Sequence, residues 1–527
     1  NQSDISTAGN ISIDVTGDIN LDNNSKIQSQ TRDDAIGNAG DITINTGGSL
    51  FSTNGNLILA DSKAQGNGGN ITINAGEQIV LEGLPEGGFP SQIVAGLSEN
   101  AKGKGGAIKI KAGELILDDV AFISSNTVSN SSGSAGNITI DVNSLRLSEN
   151  ASINVFTAND SAGGEITINA QNLDLASGGK ILAATDGAGD AGNINLNISD
   201  QIKIDNKIES SADFVDFGSG SQLLNDLQES PSGIYANTTE NSTGDGGNVN
   251  IGSILGRSPQ NVISNNGRII VDSKGTGNGG NIFIKSQAIE LDNNALISAS
   301  TEFSTELNRS GVVTLQIADD LTLNNNSSIS ARAFNDAKGG NLNIDARFII
   351  AFPEGNSDVI ANASQRQGGD ITINAESLFG IEERSLNDST NDINASSEFA
   401  LDGSVNINTS DINPVQGATE LPSNVVELEQ NTAQACEAGR GTANNGLAIA
   451  GKGGVPPAPD TPLNSDNIIS SEQNSAAFAI PEPIETSQGK IQPARGIKVS
   501  KSGKISLTAY RTNNAGERIP EIKPNCN

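Results

Sequence analysis

Apolar residues along this chain fall into short alternating runs, and the runs repeat. A glycine, any residue, an aliphatic, any residue and a second aliphatic recur at Gly9, Gly40, Gly69, Gly106, Gly136, Gly164, Gly192, Gly247, Gly280, Gly311, Gly340, Gly369 and Gly403. GNITINA from Gly69, GNITIDV from Gly136, GEITINA from Gly164 and GDITINA from Gly369 are typical copies. All intervals but one lie near thirty residues, a period that signals a solenoid. Each period holds three short runs. In the fifth copy they are Ile138 and Ile140, then Leu145 and Leu147, then Ile153 and Val155. Alternation of this kind belongs to strands with one buried and one wet face, and the runs are too short and too β-branched for helix.

The expected fold is therefore all-β, a right-handed parallel β-helix with three short strands per coil of about thirty residues. A propeller blade needs four strands over a longer repeat. One coil cannot bury its apolar face alone, so stacking must stabilise it. Thirteen anchors at strand spacing predict a rod of about 60 Å. The glycine-rich stretches Gly66 to Gly69 and Gly275 to Gly280 are expected to be corners with positive φ. Asn follows the anchor at Asn10, Asn70, Asn137, Asn193, Asn248, Asn281 and Asn341, which suggests a side-chain ladder that Glu165 and Val312 interrupt.

The repeat region spans 1–409, with one interval of 55 residues between Gly192 and Gly247. An insertion is expected there, near 211–246, carrying Phe214, Phe217 and Tyr235. Solenoid insertions emerge as loops on one face, and these rings are the candidate partner contact; the alternative is that they pack back on the rod. From 410 to 490 proline and glycine rise, with Pro456, Pro457, Pro459 and Pro462 close together, which reads as a partly irregular tail with linkers. Residues 491–527 form a small C-terminal β segment, with a hairpin expected around Ser502-Gly503.

Composition narrows the function. With 31 Lys+Arg against 62 Asp+Glu the net charge is −31, which repels phosphate backbones and argues against nucleic acid. There is no histidine, so Ser-His-Asp and Cys-His catalysis and histidine metal sites are closed. Two cysteines cannot make a zinc cage, and no cofactor or metal is expected. No stretch approaches the roughly eighteen apolar residues of a membrane-spanning helix. No methionine occurs, even at position 1, so a processed chain or a piece of a longer one is expected, with any signal peptide outside it.

GLAIAGK from Gly446 to Lys452 satisfies part of a phosphate-binding loop, but Gly453 stands where Ser or Thr should hold magnesium, and Pro456-Pro457 follows where a helix should begin. The neighbours Asp33-Asp34, Asp118-Asp119, Asp319-Asp320 and Glu382-Glu383 point to opposite faces of an extended chain, so they are not acid–base pairs. Pectin-cleaving β-helices gather Asp with basic groups on one face, and no such stack occurs at repeat spacing, so a polysaccharide-degrading enzyme is the weakest reading. Turns such as Asp22-Asn23-Asn24 and Asp292-Asn293-Asn294 read as hydrated corners, with weak Ca²⁺ binding as the alternative.

The GNITINA units, with FIIAFPEGNSDVIANA from Phe348, GGDITINAESLFGIE from Gly368 and NDINASSEFALDGSVNINTSDINP from Asn391, resemble the filamentous haemagglutinin-like exoproteins, especially their cyanobacterial branch. LPSNVVELEQNTAQACEAG, GKGGVPPAP and ARGIKVSKSGKISLTA are similar to that branch's C-terminal tail. The resemblance implies export by a two-partner route through an outer-membrane transporter, a secreted or cell-surface location, and an adhesin that presents its rod to a glycan, a matrix or a cell-surface receptor. The alternative is a passive stalk or envelope component. In an exported protein Cys436 and Cys526 could close a disulfide, with two free thiols as the other possibility. Mass spectrometry of unreduced peptides from the exported protein is expected to show a Cys436–Cys526 link, and free thiols at both positions would reject it.

Overall fold

The computed structural model describes residues 7–409, apart from 33–35, 64, 86–87, 99, 129, 207–229, 253–255, 303–309 and 354, and the backbone of four short strands between 484 and 508. Residues 7–409 form the expected parallel β-helix, with twelve complete turns and a thirteenth first-face strand. Each anchor glycine precedes a first-face strand, so anchors and turns coincide. In the fifth turn the strands are Ile138–Asp141, Ser144–Leu147 and Ser152–Thr157. Ile166–Ala176 and Ile194–Asp205 each run unbroken from the first face into the second, which joins those faces into one 23-stranded sheet. The third face stands apart as a 13-stranded sheet.

Registration is residue on residue. On the first face Ile108, Ile138, Ile166, Ile194, Val249 and Ile282 sit one above another. On the third, Ile27, Ile58, Ile93, Ile123, Ile153, Ile181, Ile234, Ile269, Ile297, Ile329, Val359 and Ile393 form one column, broken from isoleucine only at Val359. Identical β-branched side chains stacked at strand spacing keep one rotamer and fill the same volume at every level. The result is a single continuous core running the length of the coil stack. A shorter column completes it where the third strand ends. Thr127, Thr157, Thr185, Thr238, Ser273 and Thr301 are all fully buried, one per turn, and some of their hydroxyls bond along the rod, from Thr185 Oγ1 to the Thr157 carbonyl at 3.1 Å and between Thr238 Oγ1 and Ser273 Oγ at 3.2 Å.

The glycine corners correct the sequence reading. None of the glycines in Gly66 to Gly69 or Gly275 to Gly280 has positive φ. Their constraint is proximity: a Cβ on Gly69, Gly280 or Gly369 would lie under 3.0 Å from the carbonyl oxygen of the anchor glycine one turn before. The same approach lets the anchor N–H cross the corner. Gly69, Gly280, Gly340 and Gly369 donate to the carbonyls of Ala60, Val271, Ala331 and Ala361 at 2.7–3.0 Å. Where serine replaces that small residue, as at Ser125, its Oγ accepts instead, from Gly136 N at 2.9 Å.

Positive φ falls at the turn between second and third strands, on Asn23 and Asn24, Asn293 and Asn294, and Asn325 and Asn326. Asparagine tolerates that region better than other side chains, which explains the paired Asn. Asp22 serves this turn directly, its Oδ1 accepting Asn23 N and the next turn's Asn54 Nδ2 at 2.8 and 2.9 Å. The Asn column after the anchor forms the expected side-chain ladder from Asn193 through Asn248 to Asn281, each Nδ2 donating to the Oδ1 of the turn before at 2.9–3.0 Å, and it makes a second set of bonds to the backbone. Each Oδ1 accepts the backbone N–H one turn ahead, as Asn70 does from Ala107 at 3.0 Å, Asn137 from Glu165 at 2.9 Å and Asn281 from Val312 at 3.0 Å. Glu165 and Val312 therefore do not interrupt the bonds they receive.

The insertion lies earlier than expected. Gly233–Tyr235 is an ordinary third-face strand, paired with Lys180–Leu182 before it and Arg268–Ile270 after it. The extra chain thus enters between Asp205 of the second face and Gly233 of the third, and 233–246 belongs to the regular coil. Separately, the C-terminal unit contains the expected hairpin, Gly496–Val499 antiparallel to Ile505–Thr508. A second pair, Ile484–Thr486 with Gly489–Ile491, straddles the expected boundary at 490. Cys436, Cys526 and GLAIAGK lie outside the described residues.

Ile140 is fully buried while Thr139 faces outward. Ile140→Asp is expected to destabilise the coil stack by several kcal/mol, because a carboxylate would enter an apolar core unpaired, and Thr139→Asp by less than about 1 kcal/mol. Thermal unfolding compares them, and equal losses would refute the assigned faces.

Candidate functional site

In a stacked coil the inward positions are committed to the core, so chemistry is left to outward positions and corners. Most outward rows of the first face are short polar side chains: Thr43, Thr72, Thr139 and Thr167 in one column, Asn45, Asn74 and Asn169 in the next. Asn side chains of the second column bond to one another, as Asn74 Nδ2 does with Asn45 Oδ1 at 2.8 Å. Asp33 and Asp34 lie outside the described residues, and the next adjacent carboxylates have partners. Asp118 accepts Ser148 Oγ and Asp119 accepts Leu84 N, while Arg347 lies 3.3 Å from Asp319 and 3.5 Å from Asp320.

The structure divides the three aromatics singled out in the sequence. Phe214 and Phe217 lie outside the described residues. Tyr235 is 3% exposed, packed with Phe156, Ala158, Leu182 and Ala184 on the outer side of the third face, and its hydroxyl donates to the Pro231 carbonyl at 2.7 Å. An enclosed ring with its hydroxyl satisfied is a packing residue, so Tyr235 is corrected from contact to cover.

Exposed apolar side chains concentrate elsewhere. Of those that are large and exposed among the described residues, Val15 and Phe89 lie in the early turns, whereas Phe334, Phe352, Phe379, Leu386, Phe399 and Leu401 all belong to the last coils. Phe399 and Leu401 are the barest of this group, at 66% and 76%. Phe379 packs its ring 6.0 Å from Phe348, over which Arg347 sits at 5.1 Å. None of these positions continues the alternating apolar pattern, so periodicity gave no sign of them. The available signal was the rise of phenylalanine at out-of-phase positions after residue 330.

In the last turns a cleft of about 400 Å³ opens, lined by Arg332, Phe334, Asn362, Ser364, Leu386 and Glu398 among others. Its floor is the outer side of the third face. Ala333 pairs with Ala363, and so Arg332 and Asn362 occupy one outer column on successive turns. Leu386 comes from the segment between Glu382–Glu383 and Asp392–Asn394. Buried Asp392 organises that segment, accepting Arg384 Nε, Asn387 N and Thr390 Oγ1.

Three perturbed titrating groups, Asp61, Asp272 and Arg332, share this outer column, and Asp358 lies in another column of the third face, opposite Ser328. Burial raises Asp61, against hydrogen bonds from Ser98 and Gln30. Burial lowers Arg332, against the attraction of Asp358, and burial also raises Asp358. Asp272 is pushed up to about 6 by burial, which outweighs its bonds from Ser298 Oγ and Ser300 N. As a whole residue Asp272 keeps some surface. Among the described residues no group of three His, Cys, Asp or Glu side chains is placed to hold a metal, and no helix is long and apolar enough to cross a membrane. No family model, curated protein or solved structure matches this chain.

A carboxyl raised by folding is destabilising once ionised. Stability from Asp272 is therefore fully present below its unfolded value near 3.8 and is lost as pH rises towards about 6. Asp272→Asn is expected to gain stability relative to the parent across that window and hold a constant advantage above it. Melting temperatures from pH 4 to pH 7 check this, and a constant difference throughout would contradict the raised carboxyl.

Proposed function

We propose that this chain is the rod-forming part of a secreted or cell-surface adhesin-like exoprotein, and that it makes contact through the exposed aromatic patch of its last coils. The observation that carries the reading is the concentration of exposed large apolar side chains in the last coils, where Phe334, Phe352, Phe379, Leu386, Phe399 and Leu401 make six of the eight among the described residues. Clustered exposed apolar side chains mark interaction sites, and aromatics dominate contact energetics. A stacked rod presents them without further ordering cost. Export through a two-partner outer-membrane transporter and membership of the filamentous haemagglutinin-like exoproteins accompany this reading on the strength of the repeat and tail motifs. No catalytic step is part of it.

Attachment of the full chain to a glycan array and to extracellular matrix tests the reading. Replacing Phe379, Phe399 and Leu401 together by Ala is expected to weaken attachment by more than about tenfold, with little change in thermal unfolding. Deleting 207–229, which removes Phe214 and Phe217, is expected to leave attachment intact. The opposite pair of results would move the contact to the insertion, and attachment to neither surface would leave a passive stalk.

A further inference from the structure

We infer that copies of this chain associate side by side, parallel and in register, with the first face of one rod against the second face of the next. The two faces carry opposite charges at the same heights. In the fourth turn the first face presents Lys109 and Lys111, both exposed, while the second face presents Glu114, with Asp118 just beyond its strand. In the fifth turn the signs reverse, with Asp141 on the first face and Arg146 on the second. The ninth turn sets Lys285 against Glu290 and Asp292. Within the strands of these two faces, like charges share a level only at the first turn, where Asp14 and Asp22 coincide. Lys109, Lys111, Arg146 and Lys285 make no ion pair within the chain among the described residues.

Apolar surface lies where the lysines would land. Phe51, Val80 and Ile116 stack as the central outward column of the second face in turns two to four, each half-buried, with Glu114 on one side of the column and Glu82 on the other. At those levels the first face offers Thr43, Thr72 and Lys109. Threonine methyls and a lysine stem cover such a column while the ammonium reaches the flanking carboxylates. Twelve turns of strands about four residues long give each face about 800 Å², which is about what one partner contributes to a stable interface. Slipping by one turn would set Lys109 and Lys111 against Arg146, so the charges select the register. The net charge of −31 repels copies at a distance, but physiological salt screens that repulsion beyond about 8 Å and leaves the opposite charges in contact to decide. Because the two surfaces differ, the contact is heterologous, and each copy keeps a free surface for a further neighbour.

Sedimentation velocity of the full chain over a concentration series in physiological salt tests the contact, which does not rest on the attachment reading. Self-association of the parent is expected. Lys109→Glu with Lys111→Glu reverses the first face, and Glu82→Lys with Glu114→Lys reverses the second. Each variant alone is expected to associate about tenfold more weakly or worse, since like charges then meet. An equimolar mixture of the two variants is expected to associate again, because each reversed face finds one of opposite sign. These four side chains make no hydrogen bond or ion pair within the chain among the described residues, so both variants are expected to melt with the parent, which separates lost association from lost folding. A parent that stays monomeric at every concentration, variants that associate as the parent does, or a mixture that stays dissociated would overturn the inference.

Discussion

Every feature of the coil stack follows from one constraint: each strand must hydrogen-bond to its copy one turn away, at a spacing of about 4.8 Å. That distance admits a column of identical aliphatics, which is why the third face is isoleucine at eleven of twelve levels. It also forbids a Cβ where the corner of one turn passes directly over the last, which is why the anchors are glycine. Corner N–H groups with no strand opposite them find Asn and Asp oxygens from the preceding turn. The buried Thr column is the same rule applied to hydroxyls, which can hydrogen-bond to neighbouring turns as well as fill space.

Because the core is repetitive, the turns are interchangeable inside and free to differ outside. The middle of the rod uses that freedom little on its first face, where Asn side chains bond to one another between turns. The last coils use it heavily. There the third sheet closes with Glu382–Glu383, a two-residue charged strand laid on Asp392–Asn394, a device that blunts an edge against further pairing. The segment after it supplies one wall of the Arg332 cleft, so ending the sheet and building the cleft draw on the same stretch of chain.

The core was legible in the sequence because it is periodic. Alternation gave Ile138, Ile140, Leu145, Leu147, Ile153 and Val155 their inward facing, and all are buried. The turn signal at Ser502-Gly503 gave the C-terminal hairpin. What escaped was whatever depends on the distance between turns. A glycine required by a carbonyl one turn away looks like a glycine required by φ. The insertion was placed too late because Gly233–Tyr235 replaces the usual Ile-rich pattern with GIY. The cleft was invisible because only Arg332 and Asn362, one repeat apart, share the period, whereas Leu386 comes from a segment that folds back on Asp392.

The stacking claim makes distance along the rod a function of turns and not of residues. Spin labels on cysteines introduced at Thr43, Thr167 and Thr314, with Cys436 and Cys526 replaced by serine, measure it directly. Thr43 to Thr167 and Thr167 to Thr314 each span four turns, although only the second pair brackets residues 207–229. Dipolar spectroscopy on the two doubly labelled chains is predicted to give the same separation, about 19 Å between backbones plus the label length. A longer or broader distance for the second pair would show that the turns on either side of the insertion are not stacked in register, and would contradict the account.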